Sequence, residues 1–95
     1  MRILVKMQIP GEAGNRMVQD PNFLRHIEDY IKNFNIESAY FTETNGERTA
    51  FYVLDLPTTD ELAKAVEPLF QGFNAKVEVH PAMNFDELKK VYQKT

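Results

Sequence analysis

The chain has 95 residues, with 11 basic and 14 acidic side chains, a net charge of -3 and no cysteine. That length supports one core and leaves no room for a second, so residues 1–95 read as a single domain. The missing cysteine excludes disulfides, thiolate metal sites and thiol nucleophiles, and the acidic balance without a Lys/Arg cluster argues against a nucleic-acid partner.

The chain opens with alternation. Ile3, Val5, Met7 and Ile9 fall on one face of a strand over residues 2–9, and Leu4, Lys6 and Gln8 on the other. The run Ile3-Leu4-Val5 is cut by Lys6, too early for a leader peptide or a membrane span. No membrane partner is expected, and the cytoplasm is the default location. Residues 10–15 carry turn chemistry, with Asn15 as cap of a short helical turn over residues 16–19. Asp20 followed by Pro21 reads as a helix start, and Leu24, Ile27, Ile31 and Phe34 then recur at helical spacing to form one apolar stripe.

Residues 36–44 and 47–56 are rich in aromatic and β-branched side chains and are separated by Asn45-Gly46. This dipeptide suits a two-residue hairpin turn, which needs positive φ twice. It sets Thr44 opposite Glu47, Glu43 opposite Arg48, Phe41 opposite Ala50 and Ala39 opposite Tyr52. One face then holds Ala39, Phe41, Ala50, Tyr52 and Leu54, and the other Tyr40, Thr42, Phe51 and Val53. Glu43 and Arg48 read as a solvated cross-strand ion pair.

Pro57 closes that strand. Thr58 or Thr59 with Asp60 and Glu61 starts a second helix, whose stripe is Leu62, Val66, Leu69 and Phe70. Gly72 is its expected end, and Pro68 is expected to kink or shorten its last turns. Residues 75–80 form the last strand, with Ala75, Val77 and Val79 on one face and Lys76, Glu78 and His80 on the other. After Pro81, Asn84 with Glu87 three residues on marks a terminal helix reaching Lys94, with Phe85, Leu88 and Tyr92 as its apolar side.

The order is βαββαβ plus a small helix. Right-handed crossovers place both main helices on one face of a four-stranded antiparallel sheet, an α+β fold of ferredoxin-like type. The other face is left with Leu4 and one of the two hairpin sets, an apolar area that calls for a partner, and a second copy is the simplest one.

The segments Ile9-Pro10-Gly11-Glu12-Ala13-Gly14-Asn15, Ala39-Tyr40-Phe41-Thr42, Glu67-Pro68-Leu69-Phe70 and the stretch 73–83 resemble a family of small uncharacterised bacterial proteins. That family is similar to the dimeric α+β barrel superfamily, which includes muconolactone isomerase-like, antibiotic-monooxygenase-like and stress-responsive barrel proteins. The resemblance covers nearly the whole chain. It implies a homodimer whose two sheets face each other around a mostly apolar cavity, and it transfers no activity.

Candidate site residues follow from that open face. His80, beside Glu78 and near Lys6 and Gln8 if the last strand neighbours the first, is a candidate general acid or base near neutral pH tuned by Glu78 or Lys6, with a cavity tyrosine as the other candidate proton handler. The plainer reading is a strand-end histidine bonded to the backbone. Tyr40 and Tyr52 lie on opposite hairpin faces, so only one of them can line a cavity between sheets; both also read as packing tyrosines. His26 stands without further ligands at metal spacing, so no metal is expected, and no motif calls for a cofactor. The loop 11–15 lacks the phosphate-loop lysine and reads as a turn. Three functions remain: a homodimer binding a small apolar or aromatic molecule between its sheets, a cofactor-free isomerase or monooxygenase-like enzyme, and a structural protein docking through its terminal helix.

Overall fold

The computed structural model describes residues 1–93. It is an α+β fold with a four-stranded antiparallel sheet and four helices: β1 (Arg2–Gln8), α1 (Gly11–Met17), α2 (Phe23–Asn33), β2 (Ser38–Thr44), β3 (Glu47–Asp55), α3 (Asp60–Phe73), β4 (Lys76–Pro81) and α4 (Phe85–Tyr92). The expected end of the terminal helix at Lys94 lies outside the described residues.

The strand order is β2-β3-β1-β4. β1 therefore occupies the interior, pairing Lys6 with Phe51 on one side and with Glu78 on the other. The hairpin has the register its turn demands, with Thr44 opposite Glu47 and Ala39 opposite Tyr52. Asn45 and Gly46 both take positive φ, 53° and 80°. The Glu43–Arg48 ion pair does not form. Glu43 instead accepts from the Gly46 N–H at 2.7 Å, and Arg48 donates to Asn15 Oδ1 at 2.9 Å.

Helices cover one sheet face only. Ile3, Val5, Met7, Ala50, Tyr52 and Leu54 are buried there against Ala13 of α1, Tyr30 of α2 and Ala65, Leu69 and Phe73 of α3. Tyr30 ties the layer together: its hydroxyl donates to the Ala65 carbonyl at 2.7 Å, and its ring lies 4.9 Å from Phe34 and 5.1 Å from Tyr52.

Helix starts differ from the sequence reading for identifiable reasons. α1 begins at Gly11 because Glu47, brought over by β3, accepts the Gly11 N–H at 2.9 Å and satisfies a first-turn donor that no local residue caps. Asp20 turns its carboxylate onto the Asn22 N–H at 2.8 Å, which holds residues 20–22 in a turn and delays α2 to Phe23. The buried member of α2 is Tyr30, while Leu24 is 77% exposed. α3 runs through Pro68 to Phe73 and ends where Asn74 takes φ 51°, not at Gly72.

α4 starts as read, with a capping box between Asn84 and Glu87, and Glu87 also pairs with Arg2. It buries no residue of its own. The molecule is correspondingly elongated, 56 × 27 × 17 Å, with a radius of gyration of 15.1 Å against about 12 Å for a compact chain of this length.

The two core tyrosines separate two kinds of buried hydroxyl. Tyr52 has no hydrogen-bond partner, so Tyr52→Phe removes an unsatisfied polar atom and should leave stability unchanged or raised. Tyr30→Phe breaks the bond to Ala65 and should cost about 1 kcal/mol. Urea unfolding of both variants checks the difference; a larger loss for Tyr52→Phe would contradict it.

Candidate functional site

Two surfaces compete for a functional role, one on each side of the sheet. The open side displays Lys6, Gln8, Glu78, His80 and Tyr40, five of the residues singled out from the sequence, because β4 neighbours β1 in the register that aligns Leu4 with His80 and Lys6 with Glu78. One carboxylate stands between two nitrogen groups: Glu78 lies 3.2 Å from Lys6 Nζ and 3.9 Å from His80 Nε2. Both Glu78 and His80 are more than half exposed. Half-buried Leu4, Phe51 and Val53 form an apolar strip beside this group, and Tyr40 stands opposite Phe51 at 69% exposure.

Tyr52 is not part of that group. It points into the helix-covered core, fully buried, and burial pushes its hydroxyl up to about 12. The hairpin face that looks outward is therefore the Tyr40 set.

Glu47 belongs to the open side and escaped the sequence reading. Gln8 Nε2 donates to it at 2.7 Å, the Gly11 N–H at 2.9 Å, and Lys76 lies 4.0 Å away. The bond from Gln8, then that from Gly11 and the charge of Lys76 hold its carboxyl below the ordinary range, against a smaller opposing effect of burial. The pairings of β1 with β3 and with β4 bring these groups together, and no local spacing announces it. The same contact occupies the first N–H of α1, which an anion in the 11–15 segment would need.

The second surface is a cavity of about 690 Å³ on the helix side, between α2, the end of α1 and the β2–β3 hairpin. Phe23, Leu24, Ile27 and Ile31 of α2 face Phe41 and Ala50 of the sheet across it. It exists because small Ala50 lies opposite Phe41 in the hairpin and α2 stands clear of that edge. Its polar wall is limited to Arg48, Thr42, Thr49 and Glu28. None of the site residues named from sequence lines it. Apolar residues at helical spacing read as core, and the gap they enclose depends on how far the helix sits from the sheet.

His26 borders a separate depression of about 70 Å³ with Asp20 and Phe73. Among the described residues no three His, Cys, Asp or Glu side chains are grouped to hold a metal ion, and no helix is long and apolar enough to cross a membrane.

No protein-family model matches the chain, and no curated protein does. Among solved structures, protein Atu4242 from Agrobacterium tumefaciens is similar at 13% identity and a TM-score of 0.47, covering 90% of this chain and 96% of that chain. Two de novo designed proteins also match: Foldit4 at 17% identity and a TM-score of 0.45, covering 88% and 99%, and Ferredog-Diesel at 11% and 0.46, covering 85% of each. At these scores the likenesses carry no argument about fold or function.

Glu47 gives a pH test of the open-side network. A carboxyl with a lowered folded-state pKa adds stability that is complete above the unfolded value and is lost as pH falls through the folded one. The stability gap between wild type and Glu47→Gln should thus narrow as pH is lowered from about 7 to about 3. Urea midpoints at both ends check this; a gap that stays constant would contradict it.

Proposed function

We propose that this protein is a binding module for a small apolar or aromatic molecule, held in the cavity between α2 and the β2–β3 hairpin. The observation that carries the reading is the cavity itself. Its volume of about 690 Å³ falls within the roughly 300–1,000 Å³ of ordinary ligand sites, and its wall is mostly apolar with a few polar groups. The sequence pointed to an apolar-ligand protein but placed the ligand between two sheets; the geometry favours the other face.

A proton-transferring isomerase or monooxygenase-like enzyme finds less support. His80 stands on the far side of the sheet from the cavity, and Tyr52, with its proton held tightly by burial, does not line it.

The same reading includes a ferredoxin-like domain that pairs with a second copy through the open sheet face. Arg2, Lys6 and Lys76 there are balanced by Glu47, Asp55 and Glu78, so the face is close to neutral and suited to meet itself about a two-fold axis. Four strands of about seven residues present roughly 400 Å² of flat face, short of the about 800 Å² per partner of a standard interface. The apolar side of α4, with Phe85 72% and Tyr92 77% exposed, supplies further area at the end of the same sheet.

Binding is tested with N-phenyl-1-naphthylamine, a neutral fluorophore that brightens in apolar sites. One probe per chain should bind, and Leu24→Glu, which places a carboxylate in the cavity wall at an exposed position, should weaken binding at least tenfold without loss of fold. Binding unchanged in Leu24→Glu, or absent in the wild type, would refute the cavity reading. Pairing is tested separately by light scattering at micromolar concentration. The expected mass is twice 11.0 kDa, and Tyr40→Lys should shift it toward the monomer; a monomeric wild type would overturn the dimer.

A further inference from the structure

Arg48 is the one cation lining the cavity among the described residues, and it lacks the carboxylate its position offers. In the hairpin it lies opposite Glu43, yet Glu43 is turned away to the Gly46 N–H. Its guanidinium donates instead to the neutral amide oxygen of Asn15 at 2.9 Å, and no ion pair holds it among the described residues. Gly14 makes this placement possible, since a Cβ there would come 3.1 Å from Arg48 Nη1 and 3.4 Å from Ile9 Cγ2. The other charge in the wall is already answered: Glu28 pairs with Lys32 at 2.9 Å.

An arginine fork fixed by a neutral neighbour keeps N–H donors available for a planar anion. Elsewhere in the same wall, Phe41, Ile27 and Phe23 offer only apolar and aromatic contact. We infer that the cavity selects an amphipathic acid, an aromatic or aliphatic body bearing one carboxylate, with the carboxylate seated on Arg48 and the body between α2 and the hairpin. This inference rests on the cavity reading and assigns Arg48 the discriminating role, with Asn15 as the residue that positions it.

The test compares two probes of matched shape, 1-naphthylacetic acid and neutral 2-(1-naphthyl)ethanol, by titration calorimetry at neutral pH. Wild type should bind the acid roughly five- to tenfold more tightly than the alcohol, and the ratio should shrink as salt is added. Arg48→Gln should bring the acid down to the alcohol while leaving the alcohol's affinity unchanged, and Arg48→Lys should restore part of the preference. If both probes bind equally to wild type, or the preference survives in Arg48→Gln, the assignment to Arg48 is wrong while the cavity reading stands. If neither probe binds, the cavity reading fails and takes the inference with it.

Discussion

Asn45 and Gly46 join β2 to β3 in a turn where both residues take positive φ, and that turn fixes Thr44 opposite Glu47. Side chains alternate along a strand, so a one-residue slip would exchange the two faces of the hairpin. With the register as it is, Tyr52 and Leu54 point under the helices and Phe51 and Val53 point away. Tyr52 then meets Tyr30, and Tyr30 reaches the Ala65 carbonyl, which locks α2 to α3 across the sheet. Glu47, one residue past the turn, reaches both Gln8 and the Gly11 N–H, so the same register also starts α1.

Both surfaces with functional promise follow from that arrangement. On the helix side, the turn brings Phe41 opposite Ala50, a large side chain beside a small one, and the space between them and α2 becomes the cavity. On the open side, β1 in the interior aligns Lys6 with Glu78 and leaves Leu4, Phe51 and Val53 only half covered. In the proposed reading the apolar cavity takes the ligand, and the half-covered strip and the exposed α4 meet the partner. The two roles use opposite faces and do not compete for surface.

Much of the framework was legible because its signals are local. Alternation in residues 2–9, the Asn45-Gly46 turn and the Asn84–Glu87 capping box each act within a few residues, and all three stand in the structure. The errors fall where a distant group decides. Gly11 carries only turn chemistry locally, because its cap, Glu47, is 36 residues away. Leu24 has the spacing of a buried stripe, but Tyr30, with a hydroxyl partner on another helix, takes the core position. For the candidate site, the alignment of Lys6, Glu78 and His80 followed from strand order, whereas the cavity depends on the spacing between α2 and the sheet, which no periodicity encodes.

The central claim is that the ligand lies on the helix side of the sheet, not between two sheets. The most direct measurement is the set of proton–proton Overhauser contacts between N-phenyl-1-naphthylamine and the methyl groups of isotope-labelled protein. The account predicts contacts to Leu24, Ile27 and Ala50; contacts to Leu4 and Val53 instead would contradict it.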